Sequence, residues 1–94
     1  MTTPEQILED NGYYIKDLQE EGTLLFRNPD YHTSIIGMSD DYRVIYDYYK
    51  MVEYLIEYEN MTEEDAVDFV EYDTIRSLNY MNGKKPIILM SFMI

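Results

Sequence analysis

The spacing of apolar residues predicts two long helices in the second half of the chain. From Asp47 onward, apolar side chains recur at i, i+3, i+4, i+7 and i+8, which is the period of one helix face. They are Tyr48, Met51, Val52, Leu55 and Ile56. We therefore predict a helix over about 48–60. Thr62 and the three acids after it predict a second helix over about 63–81, because a threonine N-cap and negative charge both suit a helix N-terminus.

Four short β-rich runs predict the strands, near residues 23–27, 33–38, 43–47 and 86–91. The first run ends at Asn28-Pro29-Asp30, a strong turn sequence. The second and third flank a four-residue segment, 39–42, whose composition is typical of a hairpin loop. We expect these strands to form a small antiparallel sheet packed against the two long helices.

The N-terminal region predicts one short helix and leaves one stretch undefined. Thr3 is suited to an N-cap, Pro4 to the first helical position and Gln6 to a capping partner, so we predict a helix over 4–10. Residues 13–22 carry mixed signals and stay unassigned. The 94 residues are too few for two separate cores, so we predict one compact α+β domain over residues 1–94.

Charge and composition narrow the classes of function. Nineteen Asp and Glu against seven Lys and Arg give a net charge of -12. Such a chain repels nucleic acid and anionic lipid and attracts basic proteins or cations. The hydrophobic content of 46% argues against disorder, and the absence of cysteine excludes disulfides and thiolate sites. Because no signal peptide or spanning segment is visible, we expect a cytoplasmic protein with no membrane partner.

No catalytic or cofactor motif is present in the sequence. His32 is the single histidine, so no paired-histidine metal spacing exists, and the glycines and serines form neither a phosphate-binding loop nor a nucleophile elbow. We therefore predict a protein that is not an enzyme, with no catalytic residue, metal or cofactor. One alternative stays open, an acidic enzyme or cation-binding protein that uses Asp40, Asp41 or His32.

The stretch from Glu53 to Asp73 contains nine acids and no Lys or Arg. Like charges at i to i+4 spacing each cost a helix a few tenths of a kcal/mol, so a run of one sign lowers stability. One interpretation is functional: the negative charge of this surface steers the protein onto a basic partner, and its spaced carboxylates can imitate a phosphate backbone. The alternative is the solvated face of an acidic protein.

Tyrosines at the margins of this acidic run extend the candidate surface. Eleven tyrosines cannot all be core residues in so small a domain, and tyrosine is favoured at interfaces. The predicted partner-binding residues are Glu53, Tyr54, Glu57, Tyr58, Glu64, Asp68, Glu71 and Tyr72. The alternative for each tyrosine is that its ring covers the rim of the core. We expect Arg76 to tie the helix surface together through Asp73 and Tyr72.

Two stretches carry a resemblance to known proteins. They are residues 30–55, DYHTSIIGMSDDYRVIYDYYKMVEYL, and residues 71–88, EYDTIRSLNYMNGKKPII. From about Thr23 onward the chain resembles a family of small acidic proteins from Gram-positive bacteria and their phages. That family has no established activity, so the resemblance implies a mobile-element or bacterial origin and a cytoplasmic address, but no site residue. By analogy of size and charge alone, small acidic phage proteins often inhibit nucleic-acid machinery, as anti-CRISPR and other anti-defence proteins do.

Two hypotheses of function follow from the sequence. The first is a non-catalytic interaction module that docks its acidic, tyrosine-edged helical face on a basic protein, such as a nucleic-acid-binding enzyme, without binding nucleic acid directly. The second is a homodimer formed through the C-terminal strand, because the apolar run that starts at Pro86 offers an edge for pairing.

Overall fold

The computed structural model describes residues 2–92 and begins with the predicted short helix. Helix α1 spans Pro4–Asp10. The Gln6 amide donates to Thr3 Oγ1 over 3.1 Å, which is the predicted N-cap contact. The helix packs its buried Leu8 inward and stops at Asn11. The sequence prediction for this element is confirmed.

The segment that the sequence left undefined contains a second helix. Helix α2 spans Ile15–Glu21 and buries Leu18. Its N-cap residue is Tyr14, whose side chain makes no capping hydrogen bond, so the usual start signal is missing. Gly22 ends α2 in the left-handed region with φ of 78°, a conformation that glycine adopts without steric cost.

Two central strands form the predicted hairpin. Strand β1 spans Ile35–Met38 and pairs antiparallel with β2, Val44–Asp47. The Ser39 amide donates to the Arg43 carbonyl over 2.9 Å and closes the loop. Strand β1 begins later than predicted, because His32–Ser34 form a 3-10 turn instead. The Asp30 carboxylate accepts from the His32 amide, and this local hydrogen bond competes with strand pairing.

The sheet is mixed, so the expectation of a purely antiparallel sheet is wrong. Strand β3 spans Ile87–Leu89 and lies parallel to β2, which makes the strand order β1-β2-β3. Parallel pairing requires a long crossover connection, and the two helical segments between β2 and β3 supply one. Turn signals in the sequence mark where strands end but not which direction a distant strand takes.

The strand predicted at 23–27 is not formed. Thr23 makes one isolated bridge to Lys84, and the chain then leaves the sheet. Phe26 is buried in the core, and its amide donates to the Tyr46 hydroxyl instead of to a neighbouring strand. Its ring meets the rings of Tyr46 and Tyr31 edge-on, at centroid distances of 4.8 and 5.6 Å. Burial of this ring therefore sets the path of the segment.

Helix α3 spans Tyr48–Tyr58, two residues shorter than predicted. The buried Asp47 caps it, because Asp47 Oδ2 accepts from the Lys50 amide over 3.0 Å. Asn60 adopts a left-handed φ of 54° and ends the helical path. The buried side of α3 consists of Tyr48, Met51, Val52 and Leu55, which confirms the predicted apolar face except at the exposed Ile56.

The predicted helix over 63–81 is a composite, which we call the C-terminal helical segment (residues 63–80). Helix α4, Glu63–Phe69, begins at the predicted Thr62 cap, whose Oγ1 accepts from the Asp65 amide. A π-helical turn, Val70–Thr74, follows, then one turn of α-helix, α5, Ile75–Ser77, and a 3-10 turn, Leu78–Tyr80. Apolar spacing alone does not distinguish a π turn from the α-helix around it.

The core lies where the sheet, α3 and the C-terminal helical segment meet. Its fully buried side chains include Tyr31, Val44, Tyr46, Met51, Leu55, Ala66 and Val70. The fold is therefore α+β, as the sequence predicts. The outer sides of α3 and α4 do not take part in this core. They face solvent and can therefore carry charge.

Candidate interaction surface

The outward side of α3 carries two of the predicted binding residues. Glu53 and Glu57 are exposed and are separated by one helical turn. They lie on the arc opposite the buried side of the helix, as the period of 3.6 residues requires. Their carboxylates therefore face solvent and are available to a partner.

Tyr54 and Tyr58 occupy one flank of α3 and pack on each other and on the histidine. Their ring centroids are 4.8 Å apart, and the His32 ring lies 5.5 Å from Tyr54 and 5.6 Å from Tyr58. Tyr54 is half-buried, and its hydroxyl donates to Asp30 Oδ1 over 3.1 Å. Burial, together with the nearby Asp30 charge, raises the pKa of Tyr54 to about 12. Of the two rings, Tyr58 is the exposed one.

Asp30 joins the histidine and Tyr54 in one hydrogen-bond network. Its Oδ1 contacts His32 Nδ1 at 2.9 Å and also accepts from the Tyr54 hydroxyl. Burial works to raise the pKa of Asp30, but the hydrogen bonds from His32 and Tyr54 outweigh it and lower the pKa below the ordinary value. Local hydrogen bonding therefore accounts for the position of His32.

The acids in the hairpin loop act as turn residues. Asp41 accepts a short hydrogen bond from Ser39 Oγ, which lowers the pKa of Asp41. Asp40 is exposed beside it. Within residues 2–92, no group of three or more histidine and acidic side chains is arranged to hold a metal ion. The described part of the chain therefore contains no such cluster for the cation-binding alternative.

The remaining predicted residues lie on the C-terminal helical segment. Glu64, Asp68 and Glu71 are exposed, and Tyr72 is 60% exposed. The guanidinium carbon of Arg76 lies 5.4 Å from the centre of the Tyr72 ring. The expected stacking of Arg76 is therefore present, whereas the expected ion pair with Asp73 is not found among the described residues.

Some of the predicted residues belong to two local groups of side chains. Tyr54 and Tyr58 are grouped with His32 and Asp30 beside α3. Asp68 and Tyr72 line a shallow depression with residues that the sequence analysis did not select, namely Met61, Asp65, Phe69 and Asp73. The signal that could have found them is the four-residue spacing of Asp65, Phe69 and Asp73, which places an aromatic ring between two carboxylates.

The acidic run is exposed along its whole length. All nine acids between Glu53 and Asp73 are exposed, and none of them belongs to an ion pair within residues 2–92. The ion pairs with basic side chains lie elsewhere, between Arg27 and Glu5 and between Lys84 and Glu21. Within the described residues, no ion pair therefore neutralises the charge of these nine acids.

Two further observations complete the description of the chain. Among the helices within residues 2–92, none has both the length and the apolar content that crossing a bilayer requires. Comparison of the chain with protein-family models, with curated proteins and with solved structures finds no match.

Proposed function

We propose that this chain is a non-catalytic interaction module that docks its acidic, tyrosine-edged helical surface on a basic surface of another protein. The observation that carries the proposal is the exposure of nine acids with no ion-pair partner in the described residues. Since like charges on neighbouring helix turns cost stability, a surface of this kind is better explained by a basic partner than by folding.

The partner of this proposal is a nucleic-acid-binding enzyme in the cytoplasm. Proteins that bind nucleic acid present clustered Lys and Arg to the phosphates, and carboxylates on a rigid scaffold match such a surface. An inhibitor of this type, such as an anti-CRISPR or anti-defence protein, follows by analogy of size and charge alone. In this proposal the chain occupies the nucleic-acid site and does not bind nucleic acid itself.

The test is capture of a partner from a bacterial lysate, with elution by a salt gradient. We expect a basic nucleic-acid enzyme to elute at moderate salt, because surface ion pairs are screened. A variant with Glu57, Glu64, Asp68 and Glu71 changed to Lys should lose it. The matched control changes four exposed acids elsewhere, Glu9, Asp17, Glu20 and Asp40, to Lys and should retain it. Unchanged capture by the first variant would contradict the proposal.

A second candidate function is self-association through β3. Strand β3 is the outer strand of the described sheet, and the residues at and after its end are exposed, Leu89 at 44% and Phe92 at 93%. An edge strand with exposed apolar side chains can pair across a two-fold axis. Light scattering should then give a dimer that Leu89→Asp or Phe92→Asp dissociates. A monomer at high concentration would exclude it.

A further inference from the structure

Two neighbouring depressions lie along the C-terminal helical segment. The inner depression, about 290 Å³, lies between the helix and residues 25–29, and the outer one, about 340 Å³, lies on the exposed side of α4. Both are lined by Phe69 and Asp73. We call the two together the helix groove. The shared side chains place the two depressions next to each other.

The local backbone shapes the inner end of this groove. Tyr31 adopts a left-handed φ of 49°, which is uncommon for an aromatic residue, and its fully buried ring lies beneath residues 25–29. Its hydroxyl shares a hydrogen bond of 2.5 Å with Thr74 Oγ1, in the π-helical turn. This bond fixes the distance between the two walls. A buried contact therefore ties Tyr31, which lines the inner depression, to the π-helical turn.

The two ends of the groove differ in chemistry. Leu25, Phe26 and Met81 give the inner end a mainly apolar lining, although Arg27 and other polar residues also border it. Asp65, Asp68 and Asp73 surround the outer end, are exposed and have no ion-pair partner among residues 2–92. This arrangement is complementary to a segment that carries an apolar side chain next to a positive charge.

An aromatic ring at the outer end favours arginine over lysine as that positive charge. Tyr72 lines the outer depression and already carries the Arg76 guanidinium over its ring, at 5.4 Å. A planar guanidinium stacks on an aromatic face and can also donate to a carboxylate in two parallel hydrogen bonds. An ammonium group makes only point contacts, so it gains less from this combination of ring and carboxylates.

We infer that the helix groove is the docking site for a segment of the basic partner that places an apolar side chain in the inner depression and an arginine among Asp65, Asp68 and Asp73. The inference rests on the proposed function and narrows it, because it excludes Glu53 and Glu57 from the direct contact. These two acids line neither depression and act through long-range attraction.

The experiment is an amide NMR titration with a defined probe, the capped hexapeptide Leu-Arg-Leu-Arg-Leu-Arg. The largest shift changes should fall on residues 25–29 and on 65–77. The double variant Asp68→Lys/Asp73→Lys should weaken binding of the probe by about tenfold or more, because it removes two charge-assisted contacts. The matched variant Glu53→Lys/Glu57→Lys makes the same change of net charge and should weaken binding by less than about threefold.

Two further measurements test the separate ends of the groove. Ser77→Leu puts a larger apolar side chain in the lining of the inner depression and leaves less room there for the probe. Binding of the probe should therefore weaken, while the NMR spectrum stays that of a folded protein. A probe with lysine in place of arginine should bind more weakly.

The outcomes separate this inference from the proposed function. The inference about the groove would be overturned if the two charge variants lost equal affinity for the probe, or if the shift changes centred on Glu53 and Glu57. An acidic docking surface would remain in either case. Absence of binding by the hexapeptide would also overturn the groove. Retention of the lysate partner by the four-lysine variant of the acidic run would instead overturn the proposed function, whatever the probe does.

Discussion

Single buried polar contacts account for the positions of several side chains in this protein. The Tyr31 hydroxyl is buried against Thr74, and burial raises the pKa of Tyr31 to about 12. The Asp30 carboxylate accepts three hydrogen bonds, from the His32 amide, the His32 ring and Tyr54. A buried polar group that loses its partner costs more than the hydrogen bond itself contributes, so these contacts make sharp tests.

Replacing Tyr31 with Phe should lower the free energy of unfolding by about 1–2 kcal/mol, because Thr74 Oγ1 is left buried without its partner. Urea unfolding followed by circular dichroism measures the loss. The control is Tyr14→Phe. Because the Tyr14 ring is 68% exposed, this substitution should leave the free energy of unfolding almost unchanged. Equal effects at the two positions would show that the Tyr31–Thr74 contact adds nothing to stability.

Asp30→Asn should destabilise the fold by roughly 1–2 kcal/mol near neutral pH, because hydrogen bonds to a charged carboxylate are lost. The folded state holds the pKa of Asp30 below its ordinary value of 3.8. The stabilisation is therefore complete above that pH and is lost as pH falls through the folded pKa. Unfolding measured from about pH 7 down to about pH 3 should show the two proteins converging. Asp40→Asn is the exposed control, and a constant difference for Asp30→Asn would contradict this account.

At the scale of elements, one close approach joins the N-terminal helices to the sheet. The Lys84 amide donates to the Gly22 carbonyl, and the Leu24 amide donates to the Lys84 carbonyl, over 2.9 and 3.1 Å. Gly83 lies beside this junction with φ of 137°, and a Cβ atom there would lie 2.7 Å from the Gly22 oxygen. The end of α2 and the start of the last strand therefore meet at a position that has room only for glycine.

Gly83→Ala should destabilise the protein more than Gly12→Ala. Both glycines have positive φ, so each alanine carries backbone strain of about 1 kcal/mol. At Gly12 a Cβ atom meets open space, whereas at Gly83 it meets backbone, so the second loss should be larger by at least about 1 kcal/mol. Thermal unfolding of both variants compares them directly. A smaller loss at Gly83 would mean that the junction moves apart easily.

For the whole molecule, charge is the dominant property. A net charge of -12 on 94 residues opposes compaction, and the nine exposed acids concentrate part of this repulsion on α3 and the C-terminal helical segment. The same field that lowers stability attracts a basic partner from a distance, so stability and association respond to salt in opposite directions.

Added sodium chloride should raise the free energy of unfolding at neutral pH, because salt screens the repulsion between carboxylates. Urea unfolding at several salt concentrations measures the slope. The variant Glu53→Lys/Glu57→Lys reduces the net charge and should show a shallower slope with higher stability at low salt. A stability that falls with salt would mean that attractive ion pairs outweigh the repulsion.

The sequence alone determined the elements that depend on local periodicity and capping. The apolar period marked α3, Thr3 and Thr62 marked two helix starts, and the loop at 39–42 marked the hairpin, since each signal acts through neighbouring residues. The acidic run was also visible there, because charge is a property of composition. These features were sufficient to predict an α+β fold.

Other features depend on contacts between distant parts of the chain and could not be predicted from local sequence patterns. Burial of Phe26 against Tyr46 takes residues 23–27 out of the sheet, and β3 pairs parallel with β2 across a long helical crossover. The residues assigned to the candidate site also changed once these distant contacts were known. The Tyr54 hydroxyl donates to Asp30, whereas Phe69 and Asp73 line both depressions of the helix groove. A sequence pattern specifies which side of an element is apolar, but packing alone brings residues 25–31 and 69–81 together.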